Sequence, residues 1–267
     1  MVRLAANISM MFTEEAPVDR VRAAHAAGFG AVECQFPYAW DLGQLREAQA
    51  DTGVEWVLLN TAAGDAEAGE RGLACLDGRT DDFRASVERA LRWAVALRCG
   101  RVHVMAGIAA DPGALDRYVA NLRWAADRLA SEGLVGTIEP LNQRDTPRYF
   151  LTTVEQAARV IDRVGRDNLR IQFDTYHVQI SQGDVLERFQ RFLPLIGHVQ
   201  ISGPPFRYEP DWGELDHHWL LAAFDAAGYD GWIGCEYRPR ETTQDGLGWA
   251  SRYGISTGPA TPSGGIG

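Results

Sequence analysis

GTIEP (136–140), RIQFD (170–174), HVQIS (198–202) and WIGCE (232–236) are four short, mostly apolar runs, each carrying one polar residue at or near its end: Glu139, Asp174, Gln200 and Glu236. These residues lie 35, 26 and 36 positions apart. That is about the length of one strand, one helix and their two loops. A chain repeating strand and helix at this period closes naturally into a parallel barrel, in which successive strands end at one mouth. Three carboxylates and an amide converging there make a site for a hard cation.

Working outward, RLAANI (3–8), AVECQF (31–36), EWVLLN (55–60) and RVHVM (101–105) read as strands. Together with LVGTIE (134–139), LRIQFD (169–174), HVQIS and GWIGCE (231–236) they make eight. Helices are predicted near 17–28, 41–50, 81–97 (with Asp81 as cap), 113–131, 183–193, 217–227 and 242–250, and from Thr152 or Thr153 onward, where TTVEQ has a capping-box pattern. Most strands are near-continuous apolar runs, as expected of parallel strands covered on both faces. ANISMMF (6–12) stands where a dinucleotide fold needs GxGxxG, and no GxxxxGK[ST] occurs. The reading is an α/β (β/α)8 TIM barrel over residues 1–255, with the Gly/Pro/Ser-rich segment 256–267 expected to be a flexible tail.

The 267 residues carry a net charge of −10, which opposes binding a phosphate backbone, so no nucleic-acid role is expected. No apolar run approaches ~18 residues, so no membrane span is expected. MVRLAANISM lacks signal-peptide character. Cys34, Cys75, Cys99 and Cys235 form no CxxC and read as reduced core residues of a cytoplasmic protein. A homo-oligomeric state is left open.

Each strand-end carboxylate alone fits a solvated loop position as well as a ligand. Jointly, Glu139, Asp174 and Glu236 would repel one another unless a divalent cation, Mg²⁺ or Mn²⁺, lay between them. Gln200 reads either as a fourth ligand or as a buried hydrogen-bonded filler. His177, three residues after Asp174, reads as a substrate donor, a partner behind the ligands or a structural histidine. His103 reads as filler, His198 as one layer deeper than Gln200, and His217 and His218 as surface residues. Two long segments, 61–80 and 203–216, follow strands three and seven and suit lids. They bring Arg71 and Arg207, whose planar guanidinium groups suit a small carboxylated hydroxy-carbonyl substrate. Asn7, Glu33 and Asn60 end or nearly end the first three strands and are weaker candidates for the same mouth. A cation chelating a hydroxy-carbonyl unit acidifies the C–H between its oxygens. Glu139 and Glu236, from strands five and eight, can then remove and return that proton, giving aldose–ketose isomerisation or epimerisation.

IEPLN (138–142), FDTYH (173–177), GHVQI (197–201), GELD (213–216) and WIGCEYRPR (232–240) together resemble the hydroxypyruvate isomerase family, within the xylose-isomerase-like barrel superfamily. AANISMMFTE (5–14), AVECQFPY (31–38), the segment 59–79 and VHVMAG (102–107) agree, so the resemblance spans about residues 3–250. It implies a barrel interconverting hydroxypyruvate and 2-hydroxy-3-oxopropanoate, with a place in glyoxylate metabolism. By carry-over, Glu139 and Glu236 would be the proton donor and acceptor, and Glu139, Asp174, Gln200 and Glu236 would bind the divalent cation. The family also holds 2-oxo-tetronate isomerases, which AANISMMFTE, LNTAAGD (59–65) and GLGW (246–249) resemble, whereas 138–150 resembles the hydroxypyruvate enzymes. Related ketose 3-epimerases, with His in place of Gln200, and apurinic-site-type metal nucleases are the more distant alternatives.

Overall fold

The first strand pairs with its successor and with the last strand, which closes the sheet. In the computed structural model, which describes residues 1–65 and 67–256, the strands are β1 (Arg3–Asn7), β2 (Ala31–Cys34), β3 (Glu55–Asn60), β4 (Arg101–His103), β5 (Val135–Ile138), β6 (Leu169–Asp174), β7 (Ile196–Ile201) and β8 (Trp232–Cys235). All pairs are parallel and follow chain order, and Arg3–Ala6 of β1 pair with Trp232–Cys235 of β8. The expected (β/α)8 barrel is therefore what the chain forms. The expected tail lies outside the described residues beyond Ser256.

Helices α1 (Asp19–Ala26), α2 (Leu42–Thr52), α3 (Thr80–Ala96), α4 (Ala114–Ala130), α5 (Val154–Val164), α6 (Thr175–Ser181), α7 (Val185–Phe192), α8 (His217–Ala226) and α9 (Thr243–Gly246) lie in the connections or after β8. A 3₁₀ turn, Leu247–Tyr253, completes the last segment. Local chemistry sets their starts. Thr153 Oγ1 accepts the Gln156 N–H at 3.1 Å, and the Gln156 side chain reaches back to the Thr152 N–H at 2.9 Å, so TTVEQ caps as its pattern predicts. Val154, Ala157, Val160, Ile161 and Val164 then put one stripe of α5 against the sheet. Each fully buried Val or Ile there contributes about 1.5–3 kcal/mol.

Side chains alternate along each strand, and the alternation separates two environments. Leu4, Ala6, Val32, Leu59, Val102, Ile138, Phe173, Val199, Ile201, Ile233 and Cys235 join the main apolar core. Ala5, Ala31 and Val57 form a separate small cluster against Trp232. At the mouth end of the strands the inward positions are polar, and these build the site.

Candidate active site

A ladder of buried side chains crosses the barrel below the mouth. Thr137 Oγ1 donates to Gln172 Oε1 (3.0 Å), Gln172 Nε2 to Gln200 Oε1 (2.7 Å) and Gln200 Nε2 to Glu33 Oε1 (2.7 Å). Glu33 also accepts from Asn7 Nδ2 (2.8 Å) and faces His198 Nε2 (2.6 Å). A carboxylate only accepts, so it orients both amides. The Gln200 carbonyl therefore points to Gln172, which uses one of its two lone pairs. Gly234 makes room for this ladder: a Cβ there would lie 2.3 Å from Glu33 Oε2. His198 does lie in this deeper layer, as expected.

Above the ladder, Glu139, Asp174 and Glu236 meet, buried, from β5, β6 and β8. Asp174 ends β6 and caps α6: its Oδ1 accepts the Tyr176 N–H at 2.8 Å. Its Oδ2 accepts from Arg207 Nη2 at 3.2 Å, and the same nitrogen donates to Glu236 Oε2 at 2.6 Å. Glu236 Oε1 accepts from Gln35 Nε2 (2.5 Å) and Asn7 Nδ2 (3.2 Å). Glu139 is less well served. Its Oε1 is buried without a hydrogen bond among the described residues, and its Oε2 lies 3.6 Å from His103 Nδ1.

These contacts separate the carboxyl groups. Burial, then the Glu236 and Asp174 charges, hold the Glu139 carboxyl well above its ordinary range. Burial pushes Glu236 up to about 7, with Arg207 opposing and Asp174 adding. Burial raises Asp174, against the pull of Arg207. Burial alone would lower the Arg207 guanidinium, but Glu236, Asp174 and Glu139 outweigh it and fix the charge. Two buried carboxyl groups in one pocket, both raised and differently partnered, are an arrangement suited to acid–base chemistry.

His177 has a determined tautomer. Its Nδ1 receives the Asn142 backbone N–H at 3.1 Å and faces Asn142 Nδ2 at 2.8 Å. Asn142 Oδ1 accepts the Asp145 N–H, so that amide cannot turn round. Burial, then the Arg207 charge, keep the imidazole neutral. Nε2 therefore carries the proton, 3.6 Å from Asp174 Oδ2 and 3.9 Å from Glu139 Oε1.

Glu139, Asp174 and His177 each offer an atom within 4.8 Å of the others, so this cluster could hold a metal ion. The free Glu139 oxygen and the carboxylates fit a hard divalent cation. The imidazole fits as a hydrogen-bond donor, because its outward nitrogen bears the proton.

A cavity of about 740 Å³ opens over these groups and is lined by Asn60, Arg71, Glu139, His177, Arg207 and Glu236 among others. Of the residues expected from sequence, Asp174 and Gln200, and the weaker candidates Asn7 and Glu33, are not part of its lining. Arg71 is exposed, donates to the Glu70 carbonyl at 2.9 Å and has no ion pair among the described residues. Asn60 is buried at the rim, with its side-chain amide unbonded among those residues. Sequence reasoning missed Gln35 and Asn142, although both stand in quoted motifs, AVECQFPY and IEPLN. It also missed α6, although an Asp directly after an apolar strand is a cap signal. His103, read as filler, lines the cavity, with burial lowering its imidazole to about 3. His217 is a correction: expected at the surface, it is buried, with Nδ1 2.7 Å from the Pro210 carbonyl and Nε2 3.2 Å from Thr175 Oγ1.

Residues 21–253 match the family described as xylose isomerase-like TIM barrel. The chain is 48% identical to a 2-oxo-tetronate isomerase of Cupriavidus necator, covering 95% of this chain and 99% of that one. It is 39% identical to the hydroxypyruvate isomerase of Escherichia coli, covering 95% and 100%. A crystal structure of an AP endonuclease, family 2, from Brucella melitensis is similar at TM-score 0.92 and 41% identity, covering 95% and 99%. Among the described residues no helix is long and apolar enough to cross a membrane.

Proposed function

The chain belongs to the xylose isomerase-like TIM barrel family and is an isomerase, and from that membership we propose that it interconverts hydroxypyruvate and 2-hydroxy-3-oxopropanoate by proton transfer between Glu236, Glu139 and adjacent substrate carbons. The observation that carries the proposal is the pair of buried carboxyl groups lining one cavity, Glu236 held by Arg207 and Glu139 with one oxygen unbonded among the described residues. Glu236, near 7, is partly ionised at neutral pH and takes the C3 proton. Glu139, whose carboxyl is raised well above its ordinary range by burial and by the Glu236 and Asp174 charges, delivers a proton to C2 from another side of the mouth. The hydroxyl proton moves from the C3 oxygen to the C2 oxygen, so the product is an aldehyde with a C2 hydroxyl. His177 Nε2–H donates to an oxygen of the enediolate while its own charge stays neutral.

Glu139, Asp174 and Glu236 would hold Mg²⁺ or Mn²⁺, with Gln200 adding the second lone pair of its carbonyl. Such a cation supplies stabilisation of negative charge on the two substrate oxygens. Arg71 and Arg207 bind the substrate's anionic oxygens, and Asn60 and His177 its hydroxy-carbonyl unit.

A four-carbon 2-oxo acid is the second reading. The 48% identity to a 2-oxo-tetronate isomerase and a cavity of about 740 Å³, which leaves room for one more hydroxymethyl group, favour it. An abasic-DNA nuclease is disfavoured by the net charge of −10 and the acidic site. The test is turnover of hydroxypyruvate and 2-oxo-tetronate by the purified protein, with Mn²⁺ and with chelator. Higher kcat/KM on the three-carbon acid supports the first reading, and the reverse order replaces it with the second. Turnover of neither acid, together with cleavage of abasic DNA, would overturn both.

A further inference from the structure

Arg207 stands where a bound cation would be drawn. One nitrogen, Nη2, bridges Asp174 Oδ2 at 3.2 Å and Glu236 Oε2 at 2.6 Å. Its Nε adds a 3.3 Å contact to the Glu236 carbonyl, and its guanidinium lies 5.2 Å from the centre of the Tyr176 ring. The backbone beneath is pinned. Arg207 sits in the left-handed region at φ 63°, donates its N–H to Gly203 at 2.9 Å and accepts the Arg238 N–H at 2.8 Å. Gly203 itself cannot carry a side chain, since a Cβ would meet the Trp212 and Glu209 carbonyls at 2.3 and 2.4 Å. A non-glycine residue held at positive φ is costly and marks a constrained position. Motion at this position therefore belongs to the side chain, and the adjoining cavity gives it somewhere to go.

We propose that Arg207 is a built-in counter-cation that competes with a divalent ion for the Asp174 and Glu236 oxygens, and that its displacement by the ion frees it to meet an anionic oxygen of the substrate. The physical ground is exclusion. An ion on Asp174 Oδ2 and Glu236 Oε2 would stand at contact distance from the guanidinium that bridges the same two oxygens, and two cations so placed repel. Binding of the ion and release of the arginine are then one linked event, and linkage is reciprocal: removing the arginine must raise the affinity for the ion. The inference rests on the proposed cation site and is independent of which acid is isomerised, so it is tested without substrate.

The test uses the metal-stripped full chain and Mn²⁺ alone, with free Mn²⁺ followed by electron paramagnetic resonance. Arg207→Met is expected to bind Mn²⁺ about tenfold or more tighter than the original chain. Equal or weaker binding by the variant overturns the proposal. Should Arg207→Met not fold, the original chain carries the test through arginine modification by a phenylglyoxal reagent, mapped by mass spectrometry. Mn²⁺ is expected to speed modification of Arg207 several-fold while leaving Arg71 unchanged. An Arg207 rate unaltered or slowed by Mn²⁺ overturns the proposal, whatever the isomerase assay gives.

Discussion

The loop after β3, residues 61–79, and the loop after β7, residues 202–216, both rise from the mouth, and each brings an arginine that the sequence marks equally. Arg71 remains exposed, with a bond to a neighbouring carbonyl and no carboxylate partner among the described residues. Arg207 turns inward and bridges two buried carboxylates. The difference follows from the backbone. Gly203 and Tyr208 exchange hydrogen bonds and fold their loop back over the barrel, so the residue before Tyr208 faces down. The loop carrying Arg71 is tied to the barrel at the next residue, where Gly72 bridges Ala106, and its arginine stays on the rim. A guanidinium that can be spared for a ligand and one that neutralises the site are thus two different uses of one residue type.

Removing Arg207 is expected to have the largest effect. In chelator, Arg207→Met leaves buried carboxylates unpaired and is expected to lose about 3–5 kcal/mol of stability in urea unfolding. Retention of full stability would mean that the bridge carries no weight. Arg71→Ala comes next and should act on substrate alone. Loss of one charge-assisted contact, about 1.5–3 kcal/mol, raises KM for carboxylated 2-oxo acids about 10- to 100-fold. The expected kcat and melting temperature are unchanged, and a fall in kcat with constant KM would move Arg71 into the chemistry. The smallest effect concerns the anchor of the Arg207 loop. His217 ties Pro210 to Thr175, beside Asp174, and burial lowers its imidazole to about 4. The unfolded chain takes up that proton near 6.5, so between these values it binds more protons than the folded chain. Stability from this group is complete above about 6.5 and declines as pH falls toward 4, by about 1 kcal/mol per pH unit. His217→Gln should remove that slope, and hydrogen exchange at pH 5 should rise in 202–216 more than in 61–79. An acid slope unchanged in the variant would assign it to other groups.

Strand positions and the three strand-end carboxylates were legible because both follow from period: apolar runs recur at the barrel repeat and acids close them. The reach of Arg207 was not legible. It depends on a left-handed φ and a backbone bridge that no side-chain pattern announces. His217 was misread because helix-opening positions are usually exposed, whereas here the first turn of α8 packs under the loop that precedes it. Gln200 lies in register with Asp174, as its strand position implied. The direction of its amide was set by Glu33 from across the barrel, a contact 167 residues distant. Asp174 illustrates the same limit in another form: one residue ends a strand, caps a helix and receives Arg207, and the last of these roles has no signal in its neighbours.

In the proposed reaction Glu139 and Glu236 exchange a proton with adjacent carbons of a small 2-oxo acid. The most direct measurement is Mn²⁺-supported hydroxypyruvate turnover by Glu139→Gln and Glu236→Gln, each first shown to be folded. Both variants are expected to lose about a hundred- to ten-thousand-fold in kcat. Wild-type kcat in either one would rule out proton transfer by this pair of carboxyl groups.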